Sequence, residues 1–153
     1  MSGRAAVPST QRIMVAYDGS ENAKRAVTAA TSLAKAEPAE VVIFFVQLKI
    51  PPVGPREQSE MATRGYEAVI EKQAKAMVDA VAAEVSAKGV KARGEVVLGV
   101  GSVIEALVEA AEREKPDLVV MGTRGLGGFR GLLLGSVSLG VLSHAPCSVM
   151  IVR

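Results

Sequence analysis

The stretch that decides the fold runs from residue 13 to residue 46, with the sequence IMVAYDGSENAKRAVTAATSLAKAEPAEVVIFFV. A compact apolar run over residues 13–17 ends at the turn signal DGS and predicts a β-strand. Apolar residues then recur at helical spacing over residues 23–34, and Ser20 can serve as the N-cap. Residues 41–46 are continuously apolar, as expected for a strand covered on both faces. The stretch therefore predicts a β-α-β unit.

The same alternation continues to the end of the chain. Short apolar runs predict three more strands, and helical spacing predicts a helix before each of them. This order predicts an α/β fold: an open, doubly wound, five-stranded parallel sheet with helices on both faces and right-handed crossovers. After an irregular loop over residues 49–59, the predicted elements are a helix over 59–88, a strand over 90–98, a helix between Ser102 and Pro116, a strand over 118–121, a helix over 136–143 and a strand over 149–152.

The length and composition of the chain predict one folded domain. The chain has 153 residues, of which 49% are hydrophobic and 22% charged, values that exclude wholesale disorder. Residues 1–11 are small and polar and predict a flexible tail without a signal peptide, so the single domain is expected over residues 12–153. A formal charge of +2, with two tyrosines, three phenylalanines and no tryptophan, argues against a nucleic-acid partner.

The segment from Gly131 to Val152 has no formally charged residue and is long enough to span a bilayer. It contains three glycines, four serines and Pro146, which a lipid-exposed helix would have to accommodate, so we predict no membrane association. The one cysteine, Cys147, cannot form an internal disulfide, which favours a cytoplasmic location. Its side chain is expected to be a small buried apolar group.

The segment after the fourth predicted strand, residues 122–136, has the sequence GTRGLGGFRGLLLGS and contains six glycines. Glycines allow backbone N–H groups to approach an anion closely, and the following helix begins near Ser136, the expected N-cap, with its positive dipole end. Arg124 and Arg130 add donors that suit phosphate oxygens. The segment therefore indicates a phosphorylated ligand. The alternative is a glycine-rich surface loop, which its position after a central strand disfavours.

Four positions of this segment have a specific spacing, Gly122-x2-Gly125-x9-Gly135-Ser136. With the opening residues 13–20 and the closing HAPC at 144–147, the chain resembles the ATP-binding members of the universal stress protein family over nearly its whole length. Two positions depart from the family pattern, since Phe45 stands where many members have histidine and Ser148 replaces a common proline. Neither position belongs to the phosphate pattern.

The resemblance implies a cytoplasmic, usually dimeric module with strand order 3-2-1-4-5, in which ATP or another adenine nucleotide lies between strands 1 and 4. It also implies roles for individual residues. Ala16 and Asp18 border the adenine and ribose, Val46 offers backbone contacts to the adenine, Met121 and Gly122 line the sugar, and the phosphates are held by Arg124, Gly125, Gly135, Ser136 and Val137.

These observations favour a nucleotide-binding, stress-response regulatory protein. A slow ATPase or nucleotidyl-transfer enzyme at the same site is the first alternative, but the glycine segment offers no general base, so we predict no catalytic residue. A divalent ion such as Mg²⁺ or Mn²⁺ could accompany the phosphates at Asp18. The second alternative is a dimeric interaction module with a vestigial site, acting on an unknown protein partner.

Several single residues have structural interpretations as well. Asp18 could contact ribose or a metal ion, or could form an Asx turn that starts the first helix. His144 has no second histidine or nearby carboxylate in sequence and is expected at the C-terminal end of the fourth helix. Met61 and Met77 are expected to fill the core or a groove. The apolar strand over residues 149–152 is expected at a sheet edge, where it could pair with a second copy.

Overall fold

The computed structural model describes residues 10–49, 56–99, 101–124 and 133–153. Strands and helices alternate through these residues, and no helix among them is long and apolar enough to cross a bilayer. The elements are β1 (Arg12–Ala16), α1 (Glu21–Ala36), β2 (Glu40–Leu48), α2 (Arg56–Ser86), β3 (Ala92–Gly99), α3 (Val103–Glu114), β4 (Leu118–Gly122), α4 (Ser136–His144) and β5 (Ser148–Val152).

The five strands form one parallel sheet in the order β3-β2-β1-β4-β5. α1 and α2 cover one face and α3 and α4 cover the other, so the predicted doubly wound fold is confirmed. β5 lies at an edge of the sheet, as expected. The predicted flexible tail falls almost entirely outside the described residues. At its boundary, the Gln11 carbonyl accepts a hydrogen bond from the Glu40 N–H at 2.9 Å.

The continuous apolar runs arise because each central strand is buried on both faces. In β1, Ile13 and Val15 pack under α1 and α2, while Met14 packs under α3 and α4, and all three are fully buried. Burial of such a side chain contributes about 1.5–3 kcal/mol to the stability of the fold. Neither face of the sheet could therefore be polar at these positions. Cys147 is half-buried against the α3–α4 side, and burial raises the pKa of its thiol.

The helix starts follow the predicted caps with one exception. The Ser20 and Ser102 hydroxyl oxygens each accept a backbone N–H three residues ahead at 3.1 Å. At α4, however, the N-cap is Gly135, and Ser136 is the first helical residue, so the predicted cap at Ser136 is wrong. The cause is tertiary, because the Gly135 N–H is bound to the Thr123 carbonyl at 2.7 Å. His144 ends α4 as expected, with Nδ1 2.9 Å from the Gly140 carbonyl oxygen.

The long helix α2, Arg56–Ser86, both begins and ends slightly earlier than the predicted range of 59–88. It begins at Arg56, inside the expected loop, and from residue 60 onward its first fully covered side chain is Ala74. Met61 is 80% exposed, so its assignment to the core or a groove is wrong, whereas Met77 packs against the core as expected. Residues 60–73 of α2 therefore gain little from burial, and their outer surface faces solvent.

Charged side chains from the amino-terminal ends of β1, β2 and β3 meet the end of α3. The Glu114 carboxylate lies 2.6 Å from Arg93 and 3.4 Å from Arg113. Burial alone would raise the pKa of Glu114, but the hydrogen bonds and charges of these two arginines outweigh it and lower the pKa below its usual value. This network ties α3 to the edge strand β3, and its other members are Arg12, Glu40, Lys91 and Glu95.

Candidate functional site

A cleft opens where β1 and β4 part at the carboxyl-terminal edge of the sheet. Their ladder ends at the pair Val15–Val120, whereas β1 stays paired with β2 to Phe44 and β4 stays paired with β5 to Val152. β1 leads to α1 on one face and β4 leads toward α4 on the other, so the chain connections diverge here. Open α/β sheets bind ligands at this kind of switch point.

Gly122 allows the start of α1 to approach the end of β4 closely. A Cβ built on Gly122 would lie 2.6 Å from the Asn22 Cβ and 2.9 Å from the Asn22 carbonyl carbon. The Asn22 side-chain amide also donates to the Arg124 carbonyl at 3.3 Å. The segment that follows β4 is therefore anchored to the first turn of α1.

A second set of contacts anchors α4 to the same segment. The buried Ser138 hydroxyl lies within hydrogen-bond distance of the carbonyl oxygens of Gly122 (2.8 Å) and Thr123 (3.1 Å). The Thr123 carbonyl also accepts the Gly135 N–H. The N-terminus of α4 is consequently fixed beside the end of β4, at the edge where the cleft opens.

The first turn of α4 has the properties of an anion site. Gly135 makes no side-chain cap hydrogen bond, and the first turn contains no acidic residue. The N–H groups at the start of a helix have no partner within the helix, and the positive end of the dipole lies there. Ser136 is exposed next to these groups. This terminus can therefore receive phosphate oxygens.

Partly buried aliphatic side chains line the α3–α4 side of the same sheet edge. Ala16 ends β1, Val46 lies near the end of β2, and Val137 lies in the first turn of α4; all three pack against the core of that face. Met121 belongs to this core and is 4% exposed. An apolar surface beside a helix N-terminus suits a ligand with a flat apolar part and an anionic part.

Asp18 lies at the turn between β1 and α1. Its Oδ1 accepts the Ser20 N–H at 2.9 Å, which confirms the predicted Asx turn. The carboxylate is thus oriented by the backbone of the same turn. In the described part of the chain, no cluster of three His, Cys, Asp or Glu side chains could hold a metal ion.

The comparisons with known proteins agree with this geometry. The sequence model of the universal stress protein family matches residues 9–153. The chain belongs to this family. A universal stress protein of Thermus aquaticus is 39% identical over 142 residues, covering 92% of this chain and 97% of the relative.

Solved structures of other proteins share this fold. Hypothetical protein MJ0577 matches with a TM-score of 0.81 at 25% identity, covering 94% of this chain and 96% of that one. A universal stress protein solved in complex with cAMP matches with a TM-score of 0.67 at 28% identity, covering 95% and 98%.

The structure brings most of the predicted site residues of this universal stress protein to one edge of the sheet. Gly125 and Arg130 lie outside the described residues, so their predicted roles stay predictions. The roles of the others toward a ligand also remain predictions, although their positions are known. Those positions are Ala16, Asp18, Val46, Met121, Gly122, Arg124, Gly135, Ser136 and Val137.

Three residues that support the site were missed by the sequence analysis: Asn22, Thr123 and Ser138. All three are small polar residues whose partners are distant in sequence, and Ser138 contacts residues 15 and 16 positions away. The only available signal was Gly122, because a glycine at the end of a buried strand can indicate close approach of another backbone. That signal identifies no partner.

A separate pocket, of about 760 Å³, lies at the amino-terminal ends of the strands, at the other end of the sheet from the cleft. Its carboxylates are already engaged: Glu40 accepts from Arg12 at 3.2 Å, and Asp117 accepts the N–H groups of Gln11 (2.8 Å) and Arg12 (2.9 Å). α1 and α3 end beside this cavity with the negative ends of their dipoles, which its lysines offset. These features account for its charges without a ligand.

Proposed function

We propose that this universal stress protein binds an adenine nucleotide, ATP, at the cleft between β1 and β4 and acts as a regulatory stress-response protein. The observation that carries the proposal is the N-terminus of α4, which has no side-chain cap and is fixed by the 2.7 Å hydrogen bond between Gly135 and Thr123. The cAMP complex of a relative at 28% identity supports an adenine nucleotide as the ligand class.

In this proposal the phosphates lie at the start of α4. The N–H groups of Ser136 and Val137 and the side chain of Arg124 bind them, together with the glycine segment that includes Gly125. A guanidinium adds charge-assisted hydrogen bonds, which contribute about 1.5–3 kcal/mol each. Arg124 should therefore discriminate phosphorylated ligands from adenosine.

The adenine lies against the aliphatic side chain of Ala16 and receives backbone contacts from Val46, since the described site offers no aromatic platform. Met121 and Gly122 lie beside the sugar. Asp18, held by the Ser20 N–H, is oriented to accept a ribose hydroxyl. It could also contact Mg²⁺ or Mn²⁺, since Mg²⁺ commonly uses one or two carboxylates together with substrate phosphates.

The test is calorimetric titration of the purified protein with ATP, ADP, AMP and adenosine, with chromatography of any nucleotide released on denaturation. Arg124→Ala should weaken ATP binding roughly tenfold to a hundredfold while changing adenosine little. The matched control is Arg25→Ala, because Arg25 is an exposed arginine on the outer side of α1. Absence of both released nucleotide and heat at millimolar ATP would refute the proposal. Equal losses for ATP and adenosine would refute the role of Arg124.

We also propose that β5 pairs with β5 of a second copy. β5 is an edge strand, and the apolar side chains of Leu139 (54% exposed), Leu142 (45%) and Met150 (37%) lie on it or on the neighbouring α4. Leu142→Glu with Met150→Glu should shift sedimentation toward monomer, whereas Leu33→Glu on α1 should not. An unchanged dimer in the double variant would contradict this interface.

A further inference from the structure

The outer surface of α2 is left uncovered by the rest of the described fold. At 1.5 Å per residue the 31 residues of α2 extend about 46 Å, and the residues that pack into the core lie in its carboxyl half. The amino half carries three exposed large apolar side chains within nine residues: Met61 (80% exposed), Tyr66 (56%) and Val69 (55%).

The solvent side of α2 follows a regular repeat. Exposed, uncharged residues recur at alternating spacings of four and three, which is the spacing of a helix that packs along another helix. They lie opposite Val78 and Val85, which face the core. We call this set the outward row: Ala62, Tyr66, Val69, Gln73, Ala76, Ala80 and Ala83.

The outward row is asymmetric in size. Its large side chains, Tyr66 and Val69, lie in the amino half, and its carboxyl half consists of alanines. An antiparallel pair of α2 helices, with its two-fold axis between residues 74 and 75, sets each large side chain opposite a small one. Tyr66 then faces Ala83, and Val69 faces Ala80. In a parallel pair, tyrosine would face tyrosine, so the size pattern selects the antiparallel arrangement.

The residues that flank the outward row are complementary in the same arrangement. Lys72 and Asp79 lie on one side of the row, seven residues apart. The antiparallel pair places Lys72 beside Asp79 of the partner subunit, and the two-fold symmetry repeats this ion pair, so that it occurs twice. Asp79 also forms an ion pair with Lys75 of its own helix. On the other side, half-buried Ile70 meets Met77 of the partner subunit, which adds apolar contact.

We propose that the outward row of α2 is an interface for a second copy of this chain, packed as an antiparallel helix pair. Complementarity of size and of charge in one register identifies the occupant. The surface belongs to α2, whereas the proposed β5 interface lies at the edge strand beside α4. Use of both surfaces would join dimers into larger assemblies, and neither surface requires nucleotide.

Cysteine cross-linking tests the register directly, in a Cys147→Ala background. Val69→Cys and Ala80→Cys should each fail to cross-link with itself under mild oxidation, because the like positions lie about 16 Å apart along the paired helices. A mixture of the two proteins should form the heterodimeric disulfide. Self-cross-linking of either protein, or no cross-link in the mixture, would overturn the proposal.

Sedimentation velocity tests the charges with the full-length chain, in the wild type and in the Leu142→Glu, Met150→Glu background that blocks β5. Lys72→Asp and Asp79→Lys should each weaken association roughly fivefold to tenfold at low salt, and the double variant should restore it. Glu71→Lys, one heptad before the buried Val78, is the matched control and should change little. Failure of the double variant to recover association would overturn the proposed pairing.

Discussion

The contact between Gly122 and Asn22 predicts that Gly122→Ala destabilises the fold. The new Cβ would lie 2.6 Å from the Asn22 Cβ, whereas ordinary contact begins at 3.4 Å, so the two backbones must separate by about 0.8 Å. Asn22 lies in the first turn of α1, so the movement must involve the helix and cannot be absorbed by a side-chain rotation. Overpacking of this kind costs about 1–3 kcal/mol.

The assay is urea denaturation with linear extrapolation, supported by thermal melts. For a chain of this size each kcal/mol lowers Tm by about 2–4 °C, so Gly122→Ala should lower Tm by roughly 2–12 °C. The control is Gly65→Ala on α2, where an added Cβ meets nothing within 4 Å. That variant should be more stable by about 0.5–1 kcal/mol, because alanine loses less backbone entropy in a helix. If Gly122→Ala unfolds at or above the wild-type midpoint, the close approach of α1 does not constrain this position.

Two more predictions concern single side chains. Ser138→Ala should lower the free energy of unfolding by about 1–3 kcal/mol, because two buried carbonyl groups lose the hydroxyl, and should also weaken ATP binding. Ser143→Ala, an exposed serine on the same helix, should stay within about 0.5 kcal/mol of wild type; equal effects of both changes in urea titrations would contradict the anchoring role of Ser138. For Glu114, the pKa is lowered in the folded state, so its stabilising contribution is present above its unfolded pKa and is lost as the pH falls through the folded pKa. Glu114→Gln should therefore flatten the loss of stability on acidification, whereas Glu112→Gln, exposed on the same helix, should keep it; identical pH profiles for both variants in urea midpoints would show that the Glu114 network contributes nothing.

The strands and their parallel pairing could be predicted because burial on both faces of the sheet leaves a continuous apolar run, as over residues 41–46. Glycine spacing likewise located the segment that follows β4. The start of α2 could not be predicted, because residues 60–73 of that helix contain no fully covered side chain and so show no burial period. Ser136 has the stronger local preference for an N-cap, but the long-range hydrogen bond between Gly135 and Thr123 displaced the cap by one residue.

The residues that support the site, Asn22, Thr123 and Ser138, could not be predicted for a different reason. The contact of Asn22 with Arg124 joins positions 102 residues apart, and neither residue type indicates which distant residue is its partner. Burial of Ser138 depends on how α4 docks on β4, which periodicity does not describe. Residue roles toward the ligand came from the family resemblance, and the structure adds the backbone contacts that hold those residues in place.

The hydrogen bond from Gly135 to Thr123 closes a ring of chain that contains the glycine segment. The entropy of bringing the two ends of that ring together is therefore lost during folding, before any ligand arrives. Doubling the length of such a ring adds only about 0.6 kcal/mol to the closure cost. Insertions between Arg124 and Leu134 should consequently cost the fold little free energy, so the fixed spacing of nine residues between Gly125 and Gly135 is better explained by the proposed phosphate site than by folding.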